Sequence, residues 1–396
     1  MNFSTWRHVA GRTTTISGVG AIDEVCKEVE NLGLKRAFVV SSSSAGKSQA
    51  MALTKSNLTA EIVGVYDSVS PHPELQDIEE IVAQLERVNA DVIIALGGAS
   101  VADAAKGAAL LHAGGKLEFN PEAIADQASA ADPEPGLLPI IGIPGTYAGA
   151  CHIPAGAYMQ EGHKTYFSAV GLAHRFIAYD PRGFEDIPAG VLCTTGMNGL
   201  AHVLEAVYTP AVNPYVKTLA AGAAARFAKW LPARAKGDTS YPVLAGLADA
   251  SILGVTAFAI GGAALHHSIC HILGAKAGMS HGDANTAILP YVLKANERSS
   301  QEVQTEMAAA IEPELVRWGV PQGLGLPEQV KALQALIGKT DTLAALGVPR
   351  DDLKRLADEV IQRETGLAHN PRLVDAELVH RVLEAAWRGD LDFAAQ

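Results

Sequence analysis

Histidines concentrate at one place in this chain. Leu265-His266-His267-Ser268-Ile269-Cys270-His271, with the following Ser280-His281-Gly282-Asp283, holds four of the thirteen histidines within sixteen residues. His267 and His271 are four apart, so a helix stacks them on one face. Their neighbours are small and apolar (Gly261, Gly262, Ala263, Ala264, Leu265, Ile272, Leu273), which argues against plain surface polarity. Imidazoles gathered in an apolar helix point to a metal site, a proton-transfer site, or both. A second run, Gly196-Met197-Asn198-Gly199-Leu200-Ala201-His202-Val203-Leu204-Glu205, again sets two polar residues, Asn198 and His202, four apart on one face. A lone histidine on an apolar helix is more often a hydrogen-bonded core residue than a ligand. Two such helices together with His281 favour a joint site.

The elements that must position these residues change character along the chain. Arg36–Val40, Ile62–Tyr66, Asp91–Leu96 and Leu138–Pro144 are short apolar runs that predict buried strands, and Ile78, Ile81, Val82, Leu85 and Val88 recur at helical spacing. Strands alternating with helices imply a parallel sheet, with ligands at the carboxyl ends of the strands. Pro121 to Pro135, rich in Ala, Asp, Glu and Pro, is expected to be a surface excursion. After Tyr179-Asp180-Pro181 the pattern turns helical, with periodic Ala-rich runs at Leu219–Phe227, Ala248–Ile260 and Leu353–Arg363 and breakers at Pro214, Pro232, Gly237, Pro313, Pro321, Pro327, Pro349 and Pro371. The expected organisation is an α/β domain over residues 1–165 and an all-helical domain over 166–396, with the active site in the cleft between them.

Two loops of the first part follow strands. Gly97-Gly98-Ala99-Ser100-Val101-Ala102-Asp103 opens a helix. Its glycines let backbone approach a phosphate, and the helix N-terminus offers N–H donors and a positive dipole end. Ser100 can cap the helix or donate to an oxygen. The turn lacks the G-x-G-x-x-G fingerprint, so it does not imply an ordinary Rossmann enzyme, and an unliganded strand–helix turn is the alternative. Pro144-Gly145-Thr146-Tyr147-Ala148-Gly149-Ala150-Cys151 is either a cofactor-contacting loop or a linker. Lys164 is a candidate carboxylate ligand, against the alternative of a solvated lysine. Cys151 fits a small buried residue better than a nucleophile.

Bulk properties narrow the classes. The chain has 396 residues, 48% hydrophobic and 19% charged, with a formal net charge of −12, which fits a well-buried globular protein with room for two cores and argues against a nucleic-acid partner. The four cysteines (Cys26, Cys151, Cys193, Cys270) form no CxxC pair, so a reduced cytoplasmic protein is expected. The N-terminus carries no signal-peptide core. The longest apolar stretch, Leu247 to Leu265, is interrupted by Asp249, Ser251, Gly254, Thr256, Gly261 and Gly262 and fits a buried helix better than a membrane span.

Taken in order and spacing, these motifs resemble the iron-containing (group III) alcohol dehydrogenase family over essentially the whole chain. That family carries a GGGSxxDxAK turn, an IPTTxGTGSE loop, a GMDALxHxxE helix, an HxxxH helix and a PHG. The resemblance implies the fold that this family shares with dehydroquinate synthases, a Rossmann-like parallel sheet followed by helices, and a homodimer. It implies that the family's Asp and three His metal ligands fall on Asn198, His202, His267 and His281, with His271 beside the nicotinamide. Within the family the chain is similar to the maleylacetate reductase branch, which shares Thr146-Tyr147-Ala148-Gly149, Asn198 and His266-His267-Ser268-Ile269-Cys270-His271. That branch is thought to reduce 4-oxo-2-enedioates with NADH or NADPH without metal. The chain departs at Ala99, at Ala150-Cys151 in place of Ser-Glu, and at Ser280 in place of Pro. The Ala150-Cys151 change removes a polar group expected near the junction of nicotinamide and substrate. Ser42 stands where many members place an Asp that repels a 2′-phosphate, so NADPH is not excluded.

The exchange at 198 has a physical meaning: an amide oxygen is a weaker ligand than a carboxylate for a divalent ion. The expectation is therefore a metal-independent reductase of an oxo acid in aromatic-compound degradation. His271, His202, His267, His281 and Tyr147 would be catalytic. Asn198, His202, His267, His281 and Lys164 would hold the carboxylate substrate. Ser42, Gly97, Gly98, Ser100, Asp103, Thr146 and Tyr147 would hold NADH or NADPH. Should a metal bind, Asn198, His202, His267 and His281 would be its ligands. The alternatives are an iron- or zinc-dependent dehydrogenase of small alcohols and aldehydes, and a non-redox lyase or isomerase built on the same scaffold.

Overall fold

Near-continuous apolar runs are what strands need when both faces of a sheet are covered. In the computed structural model, which describes residues 11–121, 123–124, 135–363 and 366–393, they form a six-stranded sheet of order β1-β8-β5-β4-β2-β3. Its strands are β1 (Thr14–Ser17), β2 (Arg36–Ser41), β3 (Glu61–Tyr66), β4 (Val92–Gly97), β5 (Ile140–Pro144) and β8 (Phe176–Tyr179), and every pairing is parallel. Alternation sends Phe38, Val40, Ile93 and Ala95 to one face, against Ile78, Ile81 and Leu85 of α3 (Leu75–Val88) and Val101, Ala104 and Ala105 of α4 (Ala99–His112). Ala37, Val39, Val92 and Ile94 go to the other face, against Ile22 and Val25 of α1 (Ala21–Asn31) and Met51 of α2 (Gln49–Asn57). Because the strands are parallel, the carboxyl ends of β2, β4 and β5 share one edge of the sheet, with Ser41 opposite Leu96 and Gly97 opposite Pro144.

The helical run does not begin where the sequence pattern placed it. β6 (Ala155–Gln160) and β7 (His163–Ser168) form an antiparallel hairpin. Its two-residue turn, Glu161-Gly162, has φ of 52° and 73°, the left-handed pair that suits strand twist. The chain then returns to the main sheet as β8. The described chain accordingly divides at Ile187/Pro188 rather than at 165/166. Most of the excursion expected over 121–135 lies outside the described residues.

The second unit is helical: α5 (Ala189–Ala206), α6 (Pro214–Ala235), α7 (Tyr241–Gly261), α8 (Leu265–Ala277), α9 (His281–Asn296), α10 (Gln301–Arg317), α11 (Leu326–Leu336), α12 (Leu353–Arg363) and α13 (Ala376–Arg388). Pro232 and Pro313 lie inside α6 and α10 instead of ending helices; each forfeits one backbone donor without breaking the surrounding turns. By length and composition α7 is long and apolar enough to cross a membrane, yet half of its apolar window is buried within the protein. It packs on α5 and α6. A Cβ at Gly261 would lie 2.7 Å from Ala206 Cα, so α7 meets α5 at a backbone separation that glycine alone permits. That approach holds α5, the bearer of Asn198 and His202, in the interior of the unit.

Candidate functional site

α5 presents Asn198, His202 and Glu205 on one face, spaced four and then three residues apart. α8 contributes His266, His267 and His271, and His281 is the first residue of α9. The imidazoles expected to converge do so. The His202 and His267 rings stack at 4.8 Å with planes 13° apart, His267 lies 6.2 Å from both His271 and His281, and His271 and His281 stack at 5.8 Å. Phe258 of α7 closes one side, 4.2 Å from His202 and 5.0 Å from His267. Asn198, His202 and His267 are buried, while His271 and His281 are half-buried and reachable. Asn198 Oδ1 and His202 Nδ1 are buried without a hydrogen-bond partner. Burial, reinforced by the neighbouring His267, His266 and His271, holds the His202 imidazole neutral, well below its ordinary 6.5. Burial likewise takes His266 down to about 3. Its Nε2 meets the Asn285 carbonyl at 3.2 Å, so this fifth histidine anchors α8 to α9.

Sequence reasoning named Glu205 only as part of a motif and gave it no role. Its carboxylate is fully buried. Oε1 accepts the His266 backbone N–H at 2.8 Å, and Oε2 hydrogen-bonds His267 Nδ1. Burial pushes its carboxyl upward, while the backbone N–H groups at the start of α8 oppose that rise. The spacing His202-x-x-Glu205 was visible in the chain, but the arrival of α8 over it was not.

Among the described residues, the metal-ligating atoms that lie within 4.8 Å of one another are those of Glu205, His266 and His267. His202, His267 and His281 do not close to that distance, and the carboxylate that does is already bonded to His267. Asn198 brings a neutral oxygen. The donor types suit a divalent ion, but their arrangement here does not form a closed coordination shell.

In the first unit, the β4–α4 turn brings glycine backbone up to an uncapped helix start, an arrangement that could receive a phosphate. Gly97 has φ +150°, and a Cβ there would lie 2.8 Å from Val101 Cγ2. Gly98 precedes α4 with no side-chain cap, so the first N–H groups of the helix carry no side-chain acceptor there. The turn meets the β5 loop: Gly145 N–H donates to Gly97 O at 2.8 Å, and a Cβ on Gly98 would lie 3.2 Å from Thr146 Cγ2. The loop after β2 is adjacent, with Ala45 Cβ 3.6 Å from that added to Gly97, and Ser42 Oγ accepts the Ala45 N–H. Gly97, Gly98, Thr146 and Ser42 are thus gathered at one edge of the sheet. Ser100 does not cap α4; its hydroxyl donates to Pro71 O at 2.5 Å.

Three expectations for this unit change. Tyr147, expected in both the catalytic and the cofactor sets, is fully buried and stacks on Phe184 at 5.0 Å; its ring packs the loop from below and presents no surface to a ligand. Asp103 accepts the Ala157 N–H and lies 3.7 Å from Lys106 Nζ, so it ties α4 to the hairpin. Ala150-Cys151, expected to leave a gap, is held against α4. Lys106 Nζ donates to Ala150 O and Ala155 O at 2.8 Å each. Cys151 is buried in the same place, with burial pushing its thiol to about 12, so it fills space. Lys164 lies on β7 with its ammonium 5.6 Å from the Tyr166 ring centroid, close enough to Asp103 to favour that carboxylate's charged form.

Comparison with known proteins bears on the same residues. A family model described as iron-containing alcohol dehydrogenase matches residues 12–177, and its companion, Fe-containing alcohol dehydrogenase family, C-terminal, matches residues 192–387. Maleylacetate reductase 1 of Rhodococcus opacus is 28% identical over 376 residues, covering 95% of this chain and 94% of that protein. A maleylacetate reductase of Sphingobium indicum is 27% identical over 384 residues, covering 94% and 95%. The crystal structure of maleylacetate reductase from Agrobacterium tumefaciens superposes with a TM-score of 0.81 at 24% identity over 98% of this chain and 99% of that one, a likeness of fold.

Proposed function

Since the chain belongs to the iron-containing alcohol dehydrogenase family, a family of NAD(P)-dependent oxidoreductases, we propose that it is a maleylacetate reductase-like enzyme that reduces a 4-oxo-2-enedioate or a related oxo acid without a resident metal. One observation carries this reading. The family's acidic ligand position holds Asn198, a neutral amide whose buried Oδ1 has no hydrogen-bond partner, among imidazoles that burial keeps uncharged. A pocket whose nearest carboxylate, Glu205, is already hydrogen-bonded to His267 and to the His266 N–H holds a cation weakly and tolerates an anionic substrate. The relatives named maleylacetate reductases support the substrate class.

The residues divide the work as follows. The free N–H groups at the start of α4, with Gly97 and Gly98, receive the cofactor pyrophosphate, and Thr146 and Ser42 line the same edge. The bound nicotinamide supplies the hydride. His271, half-buried and stacked on His281, gives a proton to the carbonyl oxygen from its ring N–H. His202, His281 and the Asn198 side-chain amide N–H hold a carboxylate or polarise the carbonyl. His281 also opens α9, where the helix N-terminus favours negative charge.

The test is a steady-state assay with maleylacetate and each of NADH and NADPH, with and without chelator, together with metal analysis of protein purified without chelator. Turnover that survives chelation is expected. Stoichiometric zinc or iron with activity lost on chelation would establish the second reading, a metal-dependent alcohol dehydrogenase. That reading has its own support, because the partnerless Asn198 Oδ1 and His202 Nδ1 are also atoms a cation would satisfy. Absence of any nicotinamide oxidation with oxo acids or alcohols would leave the non-redox alternative.

A further inference from the structure

Glu205 occupies a position that the reductase reading does not use. It faces α8 from α5, three residues beyond His202. The exposure of its side chain is 0% and that of His267 is 3%. Its two oxygens do different things: Oε1 takes the His266 backbone N–H, and Oε2 takes the His267 ring at Nδ1. A carboxylate can accept on both oxygens, whereas an amide has one acceptor and an NH₂ group that only donates. Two N–H donors arriving from α8 therefore require an acid at this position. A histidine whose Nδ1–H is held by a carboxylate has its ring plane fixed and its tautomer chosen, so Nε2 is the nitrogen that works.

We propose that Glu205 is a positioning residue that acts through His267, holding the proton on Nδ1 and thereby turning Nε2 into the atom His267 offers to substrate. This extends the reductase reading and rests on it for the identity of the substrate. It also revises the part that the sequence led one to expect of His267. With the proton parked on Nδ1, a neutral His267 is an acceptor at Nε2, suited to the hydroxyl hydrogen that forms when the substrate carbonyl oxygen is protonated, an enol after hydride addition to the carbon–carbon double bond and an alcohol after addition to a carbonyl carbon. Gripping the carboxylate through N–H donors falls to His202, His281 and Asn198.

A double-mutant cycle with Glu205→Gln and His267→Asn separates this role from a purely structural one, because Glu205 also lies at the N-terminus of α8, where loss of an acceptor weakens the helix. If Glu205 acts through His267, Glu205→Gln lowers kcat/KM by about 10- to 100-fold in the wild-type background and by less than about 2-fold once His267 is Asn, since coupled residues are not additive. An equal loss in both backgrounds would reduce Glu205 to a helix cap and overturn the proposal. A second measurement does not depend on turnover or on the Glu205 variant folding. Nitrogen-15 spectra of histidine-labelled wild-type protein, with the His267 signals assigned from the His267→Asn spectrum, report which ring nitrogen carries the proton. Nδ1–H is expected, and an Nε2–H tautomer would rule the proposal out. If the enzyme reduces no oxo acid, the spectra still decide the role of Glu205, so failure of the substrate assignment and failure of this inference give different results.

Discussion

At the scale of single residues the molecule turns on where negative charge is placed. Asn198 carries none, and the carboxylate closest to the imidazoles, Glu205, is committed to His267 Nδ1 and to the His266 N–H. Asn198→Asp tests what that distribution does. An acid at 198 is a strong ligand if a divalent ion is available, and a buried unpaired charge if it is not. Zinc affinity of chelator-treated protein, followed by calorimetric titration, is expected to rise by at least about tenfold, equivalent to about 1.4 kcal/mol. The KM for a dicarboxylate substrate is expected to rise by a similar factor through like-charge repulsion. An unchanged zinc affinity would mean that the geometry, and not the missing charge, keeps the cation out. The residue types and spacings that mark this site were legible in the chain: His202, His267, His271 and His281 are all brought together. Tyr147 was misread because side-chain polarity does not distinguish a ring packed on Phe184 from one facing a cofactor. Glu205 was passed over because its role depends on a helix sixty residues further along the chain.

At the scale of elements, strands buried on both faces declared themselves and partly polar ones did not. β2 beyond Arg36, β4 and β5 are buried throughout and were placed correctly, as was α3 from its helical spacing. β8 is only four residues long, and the hairpin before it alternates too weakly to stand out, so the boundary was placed before a strand that belongs to the sheet. The β4–α4 turn was legible because its glycines have a steric reason. At Gly97 the backbone adopts φ +150° and leaves no room for a Cβ beside Val101. Gly97→Ala is therefore expected to cost about 1–3 kcal/mol, seen as a lower urea midpoint. It should also weaken nicotinamide cofactor binding by about tenfold or more in a fluorescence titration, because the α4 N–H groups are displaced from their common edge. Stability lost with cofactor affinity intact would show that the turn is structural and binds no phosphate.

At the scale of the whole molecule, the two units each bury titratable groups that folding keeps neutral, and this sets how the protein meets acid. In the first unit, His174 is fully buried between β5 and the Ala150–His152 turn. Burial lowers it well below 6.5, and the charges of Lys106 and His152 lower it further. His152, stacked on Tyr179, is brought to about 4 by burial and then by Lys106. Lys106, Asp103 and Cys151 are the other ionisable groups around them; burial raises Asp103, which opposes the histidines' contribution, so the histidine slope is read as the difference between wild type and a variant lacking one histidine. The sign follows from proton counting. An unfolded histidine binds a proton as pH falls through about 6.5, and these two folded ones do not until far lower. Unfolding therefore takes up protons, and stability present above 6.5 is lost as pH falls from there toward 4. Each such histidine contributes a slope of about 1.4 kcal/mol per pH unit in that window. His174→Leu removes one of them. Its stability by urea unfolding is expected to be lower than wild type at pH 7.5, from the altered shape beside Gly142, and to fall less steeply below pH 6 by about that slope, so that the two curves converge in acid. Parallel curves would mean that His174 is protonated in the folded protein.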